Sequence, residues 1–163
     1  MEARDKALTT LKELNINYEL TEHPAVYTID EMKDLNLLEM GVVCKNLFLR
    51  DQKGKNHYLV VISPEKKADI KTIGLLLESG KLSFASEDRL NNILGIPKGA
   101  VSPLAVINNS DKSVTVVIDE DLRGEQRLGV HPNDNTATVW ISFDELIKFI
   151  SHNGNVIKCE TFA

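Results

Sequence analysis

Three short motifs contain residue types that could bind an anionic substrate and polarise a carbonyl group. The first is Lys45, which interrupts a largely apolar run from Val42 to Leu49. An ammonium group in such surroundings needs an anionic partner, and phosphate suits its compact point charge. The same pattern also fits a lysine that extends from a strand edge into solvent, so both interpretations stay open.

The second motif is a turn-rich segment in which Gly95, Pro97, Gly99 and Pro103 fall within nine positions. Glycine lets backbone N–H groups approach a ligand closely, and proline stiffens the loop. Such a loop suits donors directed at a carbonyl oxygen, and it equally suits a rigid connection between a helix and a strand. The spacing differs from a Walker loop, so nucleotide hydrolysis is not indicated.

The third motif is His131, which precedes Pro132 and is therefore biased towards an extended backbone that can hold the imidazole towards a pocket.

Cys44, beside Lys45, has two interpretations: a nucleophile of low pKa, or a buried structural cysteine. The histidines and cysteines show no metal-ligand spacing, and no Gly-x-Ser-x-Gly motif is present.

The composition predicts one cytoplasmic domain over residues 1–163, because 42% hydrophobic residues can form a sizeable core at this length. Cys44 and Cys159 lie far apart, as expected of reduced thiols in a cytosol. There is no signal-peptide run and no stretch of the ~20 apolar residues that cross a bilayer. The net charge of −5 argues against extensive nucleic-acid wrapping but permits recognition of one terminus.

Hydrophobic periodicity and capping patterns predict an α+β domain. Helices are expected over residues 3–14, 28–37, 63–77, 86–94 and 142–152, and strands over 17–21, 42–50, 57–62, 82–85, 104–107, 113–119, 136–141 and 155–159. Thr28-x-x-Glu31 and Ser142-x-x-Glu145 are capping-box patterns. Hairpins outnumber βαβ units, which favours a mixed, mostly antiparallel central sheet surrounded by helices.

Taken together, the motifs resemble the YbaK/prolyl-tRNA synthetase-associated editing-domain family, over nearly the whole chain. The matching segments are the first helix, residues 22–28, 45–49 and 66–69, the Gly-x-x-x-Pro signature at 99–103 and the late histidine segment at 129–133. The resemblance implies a strongly curved central sheet. It also implies hydrolysis of the ester that joins a wrong amino acid to the 3′ adenosine of tRNA(Pro), as in freestanding Ala-tRNA(Pro) deacylases.

The resemblance also implies roles for particular residues. Lys45 would hold the terminal phosphate or ribose region, while His131 and Asn46 would help to form the site. The Gly-x-x-x-Pro loop would contact the adenosine and the aminoacyl carbonyl; its members are Gly99, Ala100, Val101, Ser102 and Pro103. Bulky residues of the N-terminal segment would line the amino-acid pocket; these are Tyr18, Val26, Ile29 and Met32.

By the same resemblance, no metal or organic cofactor is expected, and a monomer is the expected state. The partner would be the 3′ end of mischarged tRNA(Pro), delivered with help from prolyl-tRNA synthetase or an elongation factor. No membrane partner is expected. Two alternatives stay open, namely Cys-tRNA(Pro) as the preferred substrate, and a non-catalytic ligand-binding or regulatory module that keeps the fold.

Overall fold

Local capping signals delimit the helices of the computed structural model, which describes residues 3–162. The Ser86 and Ser142 hydroxyls each accept the backbone N–H three residues later, and Gly95 and Gly154 end these helices with φ of +64° and +97°. The helices are α1 (Ala3–Glu13), α2 (Ile29–Asp34), α3 (Ile70–Leu77), α4 (Glu87–Leu94) and α5 (Phe143–Asn153). Short 3₁₀ helices cover Leu37–Glu39, Pro103–Asn108 and Glu120–Leu122.

The strands form two mixed sheets, in the order β1-β8-β7-β2 and β5-β3-β4-β6-β9. They are β1 (Glu19–Glu22), β2 (Val42–Val43), β3 (Lys45–Asp51), β4 (His57–Ile62), β5 (Leu82–Phe84), β6 (Val114–Asp119), β7 (Leu128–Val130), β8 (Ala137–Ile141) and β9 (Ile157–Glu160). The β2–β7, β4–β6 and β6–β9 pairs are parallel, and the other pairs are antiparallel. The mixed α+β class is confirmed, whereas strong curvature of one central sheet is not.

The main core contains side chains from both sheets and from α1, α4 and α5. Leu59, Val116, Val139 and Phe149 are at most 1% exposed within it. A second cluster lies under α3, and a third surrounds Trp140 beside α2. Burial of apolar surface therefore joins the two sheets into one body. Within residues 3–162, no helix is both long and apolar enough to cross a membrane.

The predicted bounds of several elements are wrong, and two of the errors come from side chains that bind the backbone. Residues 104–107 were expected as a strand but belong to a 3₁₀ helix, because Ser102 caps it and Pro103 occupies its first turn. Residues 63–69 were expected to be helical, but α3 begins only after Asp69, whose carboxylate accepts the Lys71 N–H. The helix expected over 28–37 also ends early, at Asp34.

Candidate active site

Three motifs that are distant in sequence line one cavity of about 430 Å³. Lys45 is the first residue of β3, Gly99 lies in the loop after α4, and His131 directly follows β7. The lining residues are Val26, Tyr27, Thr28, Ile29, Met32, Val43, Cys44, Lys45, Asn46, Leu47, Phe84, Lys98, Gly99, Val101 and His131. Both sheets contribute, so the cavity depends on the whole fold.

Lys45 is half-buried at the cavity wall, and its position is fixed by a backbone acceptor. Its Nζ donates a hydrogen bond of 2.8 Å to the carbonyl oxygen of Lys66. An ammonium group has three N–H donors, so the others stay available to a ligand. Lys45 therefore does not extend freely into solvent, which was the other interpretation of the sequence pattern.

The Lys66 segment is itself held by Asp119, whose side chain is fully buried at the end of β6. One carboxylate oxygen accepts the Ser63 N–H at 3.0 Å, and the other accepts the Lys66 ammonium at 2.8 Å. Lys66 also pairs with exposed Asp121 at 2.6 Å. Burial opposes the charge on Lys66, but the hydrogen bonds that its ammonium donates to both carboxylates raise its pKa. Sequence reasoning missed Asp119, because it lies 56 residues from Ser63.

Gly99 allows the N-terminal segment to approach the loop closely. Its φ is +92°, and a Cβ built there would lie 2.7 Å from a ring carbon of Tyr27. The N–H of Ala100 donates to Pro97, whereas the N–H groups of Gly99 and Val101 make no backbone hydrogen bond within residues 3–162. These two donors are available for an oxygen atom of a bound ligand.

Three loop residues expected to contact substrate do not line the cavity. Ala100, Ser102 and Pro103 are buried in the core. The Ser102 hydroxyl donates to the carbonyl of His131 and accepts the Leu104 N–H. Ser102 therefore positions the histidine segment, since its hydroxyl is already used by the backbone.

His131 is held in one tautomer by the backbone. Its Nδ1 lies 3.0 Å from the carbonyl oxygen of Ala137, which can only accept, so Nδ1 carries the proton. Burial, aided by the charge of His23, lowers the pKa of His131 below its ordinary value of 6.5. The neutral form of the ring therefore predominates at pH 7, and Nε2 has no hydrogen-bond partner among the described residues.

Asn46 provides an unused acceptor at the cavity wall. Its Oδ1 is buried and has no hydrogen-bond partner within residues 3–162. A buried amide oxygen without a partner carries an energetic cost, which a ligand hydroxyl or amine would remove.

Cys44 has the properties of a structural thiol. It is 5% exposed. Burial, together with the charges of Asp119 and Glu125, raises its pKa to about 12. The thiolate is negligible at neutral pH, which disfavours the nucleophile interpretation.

The inner wall of the cavity is apolar, and one residue predicted to belong to it lies elsewhere. Val26 and Met32 are buried, and Ile29 packs against their cluster beside Trp140. Tyr18 lies outside this cavity, in a groove with Arg127. Tyr18 precedes β1 and Val26 follows it, so the length of this strand, which pairs with β8 from Glu19 to Glu22, separates the two residues.

Other lining residues were not identified from the sequence. Tyr27, Thr28, Val43, Leu47, Phe84 and Lys98 complete the wall. Lys98 could have been found because it directly precedes the Gly-x-x-x-Pro loop, but a lone aromatic such as Phe84 gives no local signal.

Comparison with known proteins identifies the class. A family model described as "Aminoacyl-tRNA editing domain" matches residues 23–149. The chain belongs to this family, which confirms the resemblance inferred from the motifs. The prolyl-tRNA editing protein ProX of Acetoanaerobium sticklandii is 49% identical over 158 residues, which cover 97% of this chain and 96% of that protein.

More distant relatives also have names that refer to prolyl-tRNA synthetase. The prolyl-tRNA synthetase associated domain-containing protein 1 of Mus musculus is 32% identical over 158 residues, covering 94% of this chain and 93% of that protein. A crystal structure of a proposed trans-editing enzyme for prolyl-tRNA synthetase covers 100% of this chain and 99% of its own, with a TM-score of 0.75 and 19% identity. At that identity, the structural likeness establishes the fold.

Proposed function

We propose that this chain is a trans-editing hydrolase that cleaves the aminoacyl ester of mischarged tRNA(Pro), with Ala-tRNA(Pro) as its preferred substrate. The observation that carries the proposal is the convergence of Lys45, the Gly99 loop and His131 on one cavity with an apolar inner wall. A relative that is 49% identical over nearly its full length is named as a prolyl-tRNA editing protein.

The site residues divide into groups that bind the substrate and groups that stabilise charge. Lys45 binds the phosphate or ribose of the terminal adenosine with the donors that Lys66 leaves unused. The N–H groups of Gly99 and Val101, which make no backbone hydrogen bond within residues 3–162, are proposed to donate to the developing oxyanion. Asn46 accepts from the substrate through its unpartnered Oδ1, and neutral His131 completes the polar wall.

Water is the attacking group in this mechanism. It adds to the ester carbonyl carbon, and the carbonyl electrons move to oxygen to form a tetrahedral oxyanion. Collapse of the oxyanion breaks the bond to the ribose oxygen, which leaves with the proton from the water. An aminoacyl ester is already activated, so orientation of water and stabilisation of the oxyanion suffice, with the neighbouring ribose hydroxyl assisting.

Selectivity is set by the apolar wall of Val26, Ile29 and Met32. A wall that admits a methyl group and excludes the pyrrolidine ring would hydrolyse the alanyl ester and spare the prolyl ester. Steric exclusion can discriminate far more steeply than the attraction of one methylene group. Cysteine, which is only slightly larger than alanine, is the competing substrate.

The net charge of the chain bears on how the enzyme obtains its substrate. The net charge of −5 implies modest intrinsic affinity for tRNA, so prolyl-tRNA synthetase or an elongation factor is proposed to deliver the substrate. Residues 1–163 are proposed to act as one monomeric editing domain in the cytoplasm.

The test is a deacylation assay of the purified chain with tRNA(Pro) charged with alanine, cysteine or proline. The expected order of first-order rates is alanine above cysteine, with proline close to the spontaneous rate. Faster cleavage of the cysteinyl ester would overturn the alanine preference and leave the editing activity standing. No acceleration with any of the three would instead identify a non-catalytic binding module.

A further inference from the structure

The mouth of the cavity has an exposed aromatic side chain that the reaction described above does not use. Phe84 ends β5, the edge strand of its sheet, and is 60% exposed. It lines the active-site cavity and also two adjoining grooves. An exposed aromatic side chain on an edge strand favours association with another molecule. A ligand that covers Phe84 would explain why this side chain is exposed.

A cation stands at the same mouth. Lys98 lines both the active-site cavity and the groove beside α4, as Phe84 does. It is exposed and forms no salt bridge within residues 3–162. Glu87 is the acidic residue of that groove's lining. An exposed ammonium and an exposed aromatic ring that line the same cavity form a combination that suits single-stranded nucleic acid.

The substrate extends beyond the cavity, because it is covalently longer than the cavity. A cavity of about 430 Å³ has room for the aminoacyl group and the terminal adenosine but not for a second nucleotide. The preceding nucleotide therefore lies outside, attached through a phosphodiester to the adenosine within.

Resting on the proposed function, we propose that Phe84 and Lys98 form a subsite for the nucleotide that precedes the terminal adenosine. The base of that nucleotide stacks on the Phe84 ring, and the phosphodiester that joins it to the adenosine pairs with Lys98, which leaves the ribose of the adenosine to Lys45. Stacking tolerates any base, so this subsite adds affinity and orientation rather than sequence selection.

Phe84 also lines a larger groove between α3 and β5, and an apolar partner bound in that groove is the alternative to a nucleotide. The groove has a volume of about 920 Å³ and is mainly apolar, with Leu75 being 73% exposed. Leu75 lies outside the active-site cavity and the α4 groove, whereas Phe84 and Lys98 line both. Continuity with the cavity and the positive charge of Lys98 favour the nucleotide. Leu75 is thus a matched control for a surface that acts through apolar contact alone.

The experiment compares two synthetic esters, 3′-O-alanyl-adenosine and 3′-O-alanyl-CpA, which differ by the preceding nucleotide. Unmodified protein is expected to have a kcat/KM about 5- to 100-fold higher for the CpA ester. Phe84→Ala should abolish most of this preference by lowering kcat/KM for the CpA ester much more than for the adenosine ester, whereas Phe84→Trp should keep it. Lys98→Gln should lower kcat/KM more for the CpA ester than for the adenosine ester and reduce the salt dependence of CpA ester cleavage.

Leu75→Ala should change neither ester. The subsite is refuted if unmodified protein shows no preference, if Phe84→Ala slows both esters equally, or if Leu75→Ala matches Phe84→Ala. Cleavage of both esters together with any of these results would leave the editing function intact. If unmodified protein cleaves neither ester nor Ala-tRNA(Pro), the proposed function fails and the subsite with it.

Discussion

The ammonium group of Lys45 donates to the backbone carbonyl of Lys66 at 2.8 Å, although the two residues lie on different segments of the chain. The carbonyl is fixed because the Lys66 side chain and the Ser63 N–H are both bound by Asp119. The orientation of the proposed substrate-binding cation therefore depends on a buried carboxylate that does not line the cavity.

Lys45→Ala is expected to remove most of the deacylation of Ala-tRNA(Pro) without unfolding the protein. A hydrogen bond to a charged group contributes about 1.5–3 kcal/mol, which corresponds to a loss of about ten- to hundredfold in kcat/KM. Lys71→Ala, which removes an exposed lysine from α3 outside the cavity, is the control. Near-normal turnover of a folded Lys45→Ala protein would refute the assigned role.

Asp119→Asn is expected to lower both stability and activity, because it removes the charge that holds Lys66. The free energy of unfolding should fall by about 1–3 kcal/mol, and kcat/KM by about fivefold, as the Lys66 carbonyl becomes less fixed. Denaturant unfolding and single-turnover deacylation measure the two effects. Asp121→Asn, which removes the exposed partner, should change both only slightly; equal effects of the two variants would contradict this account.

The stability of the fold should decrease as the pH falls below about 6.5. Since burial lowers the pKa of His131 in the folded state, the unfolded chain binds protons that the folded chain does not. Burial and Arg89 lower the pKa of His57 in the same direction. In His131→Asn, unfolding free energies at about pH 7.5 and 5.5 should therefore differ less than in the unmodified protein. An unchanged difference would refute the contribution of His131.

Cys44→Ser should keep the rate per folded molecule, because water rather than a thiolate attacks the ester. The buried hydroxyl is expected to reduce the free energy of unfolding by about 1–3 kcal/mol. Activity should be normalised to the folded fraction measured by circular dichroism. Isolation of an aminoacyl thioester on Cys44 would overturn the mechanism.

Shortening Val26 to Ala should extend hydrolysis towards larger aminoacyl groups, because this side chain forms part of the apolar wall. The truncation is also expected to cost about 1–4 kcal/mol of stability. The measurement is the ratio of rates for Ala-, Cys- and Pro-tRNA(Pro). Leu37→Ala truncates the same cluster outside the cavity and should leave the ratio unchanged; a shift in both variants would indicate general loosening.

The features that the sequence predicted are those encoded by adjacent residues. Ser86 and Ser142 cap helices where their spacing indicated, because a cap requires only residues within one turn. The meeting of Lys45, Gly99 and His131 in one cavity was anticipated through the resemblance of the motifs, since nothing local connects them.

The features that it missed depend on distant pairing. The apolar run at 104–107 fits a strand or a helix equally well, and Ser102 decides between them. Tyr18 was misplaced because the register of β1 on β8 is set by residues over a hundred positions away. The division of the strands into two sheets also depends on pairing between distant residues, so the hydrophobic periodicity of the sequence does not indicate it.

Cys44 is the single residue between β2 and β3, which belong to different sheets. Its N–H continues the pairing with β7 through the Gly129 carbonyl at 3.2 Å, and the next residue, Lys45, already pairs with Ile62. The cavity thus lies at the point where one stretch of backbone passes from one sheet to the other. A ligand that immobilises this stretch is expected to slow amide hydrogen exchange in both sheets, including strands that it does not touch.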